Sequence, residues 1–165
     1  MPGDVINQFA GIAPGSPLAQ LREQRPETLR HAQGSFQVLL EPDDPGGVSR
    51  EEREAIALRV ATLERFPDVA DFHRDRLRQL GAQGDRLAAI EQFPDGGDVP
   101  ARLAAILRHT DLLTTSSRSG SPEAIARLRQ AGLSAQDIVT ISQLIAYMSY
   151  EIRMVALLRA MGGRR

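Results

Sequence analysis

One uninterrupted run, from Ser134 to Gly162, constrains this chain more than any other feature. Ser134 caps its start together with Asp137, and Ile138, Ile141, Ile145, Met148, Ile152 and Val155 then recur on one helical stripe until Gly162-Gly163 closes it. A helix reaching about Met161 would be roughly 40 Å long at a rise of about 1.5 Å per residue. That exceeds the width of a small domain, so part of it is expected to pack on another chain. A chain organised round such a rod should be all-α. The composition agrees: with 2 Tyr, 5 Phe and no Trp, the core must come from Leu, Ile, Val and Ala, a mixture that suits packed helices better than sheets.

The remaining residues divide into shorter helices. At 165 residues the chain is long enough for one core and too short for two domains of ordinary size. Residues 1–15, with Pro2, Gly3, Gly11, Pro14 and Gly15, are expected to form an irregular N-terminal arm, and residues 16–165 the helical domain. Ser16-Pro17 opens a helix to about Gln24, and Pro26 starts another to about Glu41. Ser49 and Glu52 make a capping box ahead of a helix from Arg50 to about Glu64; it is apolar on nearly every side, which predicts burial, and Glu54 lies inside it. Pro67 and Asp68 open a helix to about Leu80, and a shorter one ends near Phe93. Asp98 is the expected N-cap of a helix over 99–115, and Ser121-Pro122-Glu123 opens one that Gly132 stops. Neither strand alternation of note nor a repeat of solenoid length appears.

Several function classes fall away on composition. A net charge of −1 gives no general attraction to a nucleic-acid backbone or an anionic membrane, so neither is an expected partner. All basic residues are Arg, which rules out Schiff-base chemistry by a lysine side chain. With no cysteine there can be no disulfide, thiolate metal site or thiol redox cycle. Gln143, Glu151 and Arg153 interrupt the longest apolar helix and no leader pattern opens the chain, so a cytoplasmic location is expected. His31, His73 and His109 lack metal-ligand spacing, and no phosphate loop is present, so no metal or cofactor is expected. His31 and His109 read as surface or interface residues.

The segments ARLAAILRHTDLLTT (101–115) and EAIARLRQAGLSAQDIVTISQLIAYMSYEIRMVALLRAMG (123–162) resemble the C-terminal half of the alkylhydroperoxidase D (AhpD) and carboxymuconolactone decarboxylase family. Its Leu-x-x-Ala-Gly-Leu-Ser turn corresponds to residues 128–134, and its Ile-Ala-Tyr followed by Arg to Ile145-Ala146-Tyr147 and Arg153. SREEREAIALRVA (49–61) is similar to the family's Glu-bearing helix, so the likeness spans roughly 48–162. The resemblance implies an AhpD-like helical fold and a homo-oligomer, a trimer or hexamer. Redox members carry a Glu, a Cys-x-x-Cys and a His. Here Glu54 and His73 match the Glu and the His, while Phe66 and Val69 occupy the cysteine positions and Asp68 stands where relatives often place His or Tyr.

Positions 66, 69 and 73 share one helix face, so the matched site becomes greasy beside His73. A Glu54–His73 pair is expected in one of two roles. It is either a buried hydrogen-bonded tie between helices or a general acid/base dyad acting on a small organic acid or lactone. Desolvation favours neutral imidazole and Glu54 favours imidazolium, and the sequence leaves both open. Tyr147, with Met148 and Tyr150, reads as core, subunit interface or ligand-pocket lining, and Arg153 is expected to need a carboxylate such as Glu54 or Glu151, or a bound anion. Three functions follow: a non-redox oligomeric homologue, structural or regulatory, assembling with itself or a thiol-bearing paralogue; a cofactor-free acid/base enzyme; and a peroxidase-related antioxidant protein using a non-thiol route.

Overall fold

The computed structural model describes residues 4–163. Among them the regular structure is helical throughout: α1 (Val5–Ala10), α2 (Pro17–Glu23), α3 (Pro26–Leu40), α4 (Arg50–Leu63), α5 (Pro67–Gln79), α6 (Gly84–Glu91), α7 (Ala101–Ser116), a 3-10 turn at Ser117–Ser119, α8 (Pro122–Gln130) and α9 (Ala135–Met161). No helix among these residues is long and apolar enough to cross a membrane.

Four helices start where a serine hydroxyl accepts a free first-turn amide: Ser16 from Ala19, Ser49 from Glu52, Ser121 from Ala124 and Ser134 from Asp137. At α4 and α9 the bond is reciprocated, because Glu52 and Asp137 accept the backbone N–H of Ser49 and Ser134 at 2.9 Å. Gly132, at φ 84°, closes the turn after α8.

Two expectations are corrected. The N-terminal arm is not irregular throughout: α1 is capped by Asp4, whose Oδ1 accepts from the Asn7 amide at 2.7 Å, and it buries Val5, Ile6, Phe9 and Ala10. Residues 1–3 of that arm lie outside the described residues. Asp98 does not cap α7; the helix begins after Pro100 with no side-chain cap.

The core is arranged around α4. All nine residues from Arg53 to Ala61 are buried, which fits a helix apolar on nearly every side and packed by α3, α5, α6, α7 and α9. Each fully buried Ile, Leu or Val contributes on the order of 1.5–3 kcal/mol. The two arginines in this stretch are satisfied where they lie. Arg53 donates to the carbonyls of Leu39, Pro45 and Val48 and so clasps the loop between α3 and α4. Arg59 holds Asp111 of α7 through two hydrogen bonds of 2.7 and 2.8 Å and also donates to the Glu91 carbonyl of α6.

The long helix α9 has two faces. Ile138, Ile141, Leu144, Ile145, Met148, Ile152, Val155 and Leu158 are buried, whereas Val139, Gln143, Ala146, Tyr150, Arg153 and Leu157 are exposed in alternating steps of four and three residues.

Candidate functional site

The site is built where α5 turns back along α4. No glycine makes that turn. Arg65 takes φ 58°, and the amides of Arg65 and Phe66 close the end of α4 onto the carbonyls of Thr62 and Ala61. Pro67 then starts α5, directing Val69, Ala70, His73 and Leu77 into the core.

Glu54 and His73, 19 residues apart, meet between the two helices. Nδ1 of His73 donates to Oε2 of Glu54 at 2.7 Å, and His73 is 0% exposed. The second carboxylate oxygen accepts Nε–H of Arg76 at 2.6 Å, and Arg76 extends a further bond of 2.6 Å to Glu41. Burial opposes the Arg76 charge, but Glu54 and Glu41 outweigh it and raise the guanidinium above its usual pKa. The same guanidinium lies against Phe36 and Phe72, and Phe72 meets the His73 ring edge-on at 5.1 Å. Nε2 of His73 is enclosed with no partner. A cavity of about 290 Å³ opens beside this group, lined by Leu40, Glu41, Arg50, Glu54, Arg76, Gln79 and Leu80, with His73 not among its walls.

At the start of α5, Val69 is 0% exposed and Phe66 only partly buried. Phe66 is covered by Arg159 of α9, whose guanidinium sits 4.8 Å from the ring centre. Arg159 also donates to the Phe9 carbonyl and to Asp68, so it joins α1, α5 and α9.

A second polar pair lies on α9. The Tyr147 hydroxyl donates to Oε2 of Glu151 at 2.6 Å; Glu151 is 0% exposed and its Oε1 has no partner. Desolvation pushes the Glu151 carboxyl up to about 7, against the hydrogen bond from Tyr147, which lowers it. Burial and the Glu151 carboxylate lift the Tyr147 phenol well above its ordinary value. Tyr147 also lines a broad groove of about 800 Å³ between α3 and α9, with Val38, Leu39, Ala146 and Tyr150.

Arg153 does not join either group. It lies on the outer face of α9, and its nearest carboxylate is Glu64 at 4.0 Å rather than Glu54 or Glu151. Arg153 is itself exposed, so it needs no buried partner. His31 is exposed, but His109 is buried, contrary to the surface reading, because α7 turns it toward Ser142 of α9. Arg76 and Glu41 were not anticipated as part of the site; the available signal was that Arg76 follows His73 by one helical turn. Glu151, one turn after Tyr147, was likewise legible only as spacing.

Fold and site together define an all-α, cysteine-free protein of AhpD-like architecture with a buried Glu–His–Arg group. The chain matches no family model and no curated protein. Among solved structures it is similar to an alkylhydroperoxidase AhpD core, an uncharacterized peroxidase-related protein from Ralstonia eutropha JMP134, at 20% identity and TM-score 0.73, covering 93% of this chain and 78% of that one. An uncharacterized peroxidase-related protein from Silicibacter sp. TM1040 aligns at 19% identity and TM-score 0.74 with the same coverage. A protein of unknown function from Agrobacterium tumefaciens, provisionally named an antioxidant defence protein AhpD, aligns at 18% identity and TM-score 0.73, covering 84% and 92%.

Proposed function

We propose that this chain is a thiol-free relative of the AhpD and carboxymuconolactone decarboxylase proteins that acts by assembling with itself, in a structural or regulatory role. The observation that carries this reading is the closed state of the matched site. Phe66 and Val69 fill the cysteine positions, His73 is sealed from solvent, and both oxygens of Glu54 are already taken by His73 and Arg76. A general base needs a path to its substrate, and His73 has none.

Self-assembly is supported by the outer face of α9. Val139, Gln143, Ala146, Tyr150, Arg153 and Leu157 follow the four-three spacing of a helix seam that packs on another helix, beside the groove that carries the exposed Val38. Light scattering of the purified protein tests this: a mass of three or six times 18.0 kDa is expected, falling toward one copy in Leu157→Glu and Tyr150→Glu. A monomer at all concentrations overturns it and directs the search to a thiol-bearing paralogue as the partner of the same face.

One observation favours a second reading, acid/base chemistry on a small organic acid or lactone. The 290 Å³ cavity reaches Glu54 and the Arg76 guanidinium, a proton-transfer group beside an anion binder. Turnover of small carboxylic acids or lactones that Glu54→Gln abolishes would establish it, and no turnover across such a panel would remove it.

A further inference from the structure

A second enclosed histidine, His109, stands beside a small cavity. A hollow of about 50 Å³ lies between α7 and α8, lined by Ala105, Arg108, His109, Leu112, Ala124 and Arg127. One water needs roughly 10–15 Å³, so the hollow has room for a few non-hydrogen atoms.

His109 is 6% exposed, and its Nε2 lies 3.1 Å from Oγ of Ser142. That hydroxyl already donates its proton to the Ile138 carbonyl at 2.7 Å, so Oγ accepts from the ring and the ring hydrogen belongs on Nε2. Nδ1 is therefore a bare acceptor, enclosed and without a partner. Native interiors rarely leave such an atom unpaired, and the His109 side chain forms part of the cavity wall.

The mouth of the cavity is cationic. Arg108 and Arg127 are both exposed, and among the described residues neither has a carboxylate within 4.0 Å. Arg108 rests instead against the Phe93 ring, and Arg127 feels Glu123, four residues earlier on α8, through space. Unpaired guanidiniums favour planar or tetrahedral oxygen ligands, which accept two parallel hydrogen bonds.

The geometry points to a binding site for a small oxyanion of the carboxylate or phosphate type, held by Arg108 and Arg127 with one oxygen reaching Nδ1 of His109. Because Nδ1 is an acceptor in the neutral ring, the oxygen that meets it must be protonated, or the ring must take up a proton as the anion enters. Hydrogen phosphate brings its own proton; a carboxylate binds together with one from solvent. Arg108 on its own helix and Arg127 on α8 line the cavity with His109, Asp111 two residues on is held by Arg59 of α4, and α9 presents the uncharged Ser142. Burial disfavours protonation of the ring in the empty site, and the charge of a bound anion favours it.

The test is to titrate the full-length protein with sodium phosphate and with sodium acetate, following the His109 ring resonances, with sodium chloride at equal ionic strength as the control. Saturable movement of the His109 signals is expected with at least one oxyanion and none with chloride. Replacing both arginines, Arg108→Gln with Arg127→Gln, should weaken binding by about tenfold or more while circular dichroism shows the helical fold retained, since both side chains are on the surface. Calorimetry in buffers of different ionisation enthalpy distinguishes the two classes: acetate should bind with proton uptake and hydrogen phosphate without it. No saturable shift with either anion, or a shift indifferent to loss of both arginines, overturns the proposal. His109→Gln keeps a donor for Ser142 and removes Nδ1, and binding undiminished in that variant overturns the role of the histidine.

Discussion

Oε2 of Glu54 accepts the Nδ1–H of His73 at 2.7 Å while Oε1 accepts the Nε–H of Arg76 at 2.6 Å, so one buried carboxylate is the common acceptor for two residues a helical turn apart on α5. Removing that acceptor strands both donors. Glu54→Leu is therefore expected to cost on the order of 3–5 kcal/mol, the usual penalty for breaking a buried ion pair from one side. Glu54→Gln keeps one oxygen acceptor and should cost less. Urea denaturation followed by circular dichroism measures both; equal, small losses would mean the three residues do not act as a tie.

Glu151 sets a pH dependence of unusual sign for a carboxylate. Its folded value, about 7, lies above the ordinary 4.5, so the folded state binds more protons than the unfolded state between these values. Stability contributed by the protonated, Tyr147-bonded form is complete below about 4.5 and is lost as pH rises through about 7, a difference on the order of 3 kcal/mol. Thermal midpoints of wild type should fall across that window, and those of Glu151→Gln should not. A wild-type midpoint rising from pH 5 to 7 by an amount the Gln variant shares would place Glu151 in water rather than in the core.

His109 acts in the opposite direction. Desolvation lowers its pKa from 6.5, so the unfolded state binds the extra proton as the medium becomes acidic. The stability this represents is present above 6.5 and lost as pH falls through and below that value. In Glu151→Gln, where the opposing slope is gone, midpoints should drop on acidification below pH 6.5. Adding His109→Gln should flatten that drop, and an unchanged slope in the double variant would assign the acid sensitivity elsewhere.

Much of the fold was legible because its start and stop signals are local. The serine caps at Ser16, Ser49, Ser121 and Ser134, the prolines at 17, 26, 67 and 122 and the stop at Gly132 all act over four or five residues, and the helices begin and end there within a residue or two. What escaped depends on tertiary contact. The six residues of α1 sit among glycines and prolines, and they hold together because Val5, Ile6 and Phe9 find the core and Gln33 of α3 accepts the Val5 amide. The turn at Arg65 carries no glycine to announce it. Within the site, Glu54 and His73 could be read from the resemblance to the family's Glu and His. Arg76 could not, because its role follows from how α5 leans on α4.

Gly47 illustrates a contact of this kind that a substitution can expose. A Cβ at this position would lie 2.2 Å from Oδ1 of Asp137, the carboxylate that caps α9. Alanine must displace the cap or the loop, so Gly47→Ala is expected to lose about 0.5–2 kcal/mol, the range for losing a helix cap. Gly34, on α3, has nothing within 4 Å of the corresponding point, and Gly34→Ala should gain up to about 1 kcal/mol from helix propensity. Melting curves of the two variants should move in opposite directions, and a Gly47→Ala protein as stable as wild type would mean the α3–α4 loop yields freely.

The start of α5 has electrostatics that would suit a reactive thiol, although it holds none. Phe66 is the N-cap of that helix, where the dipole favours an anion, and the Arg159 guanidinium lies 4.8 Å from its ring centre. A thiol placed there by Phe66→Cys would be partly accessible and next to a fixed positive charge, the surroundings that depress a thiol pKa below about 8.5. Alkylation by iodoacetamide as a function of pH should therefore show a midpoint below that of a free thiol, and adding Arg159→Gln should move it back up. The Val69→Cys thiol, at a position 0% exposed and one turn further into the core, should react only as the protein unfolds. If the Phe66→Cys thiol titrates like free cysteine and ignores Arg159, the helix terminus and the arginine are too screened to activate a nucleophile.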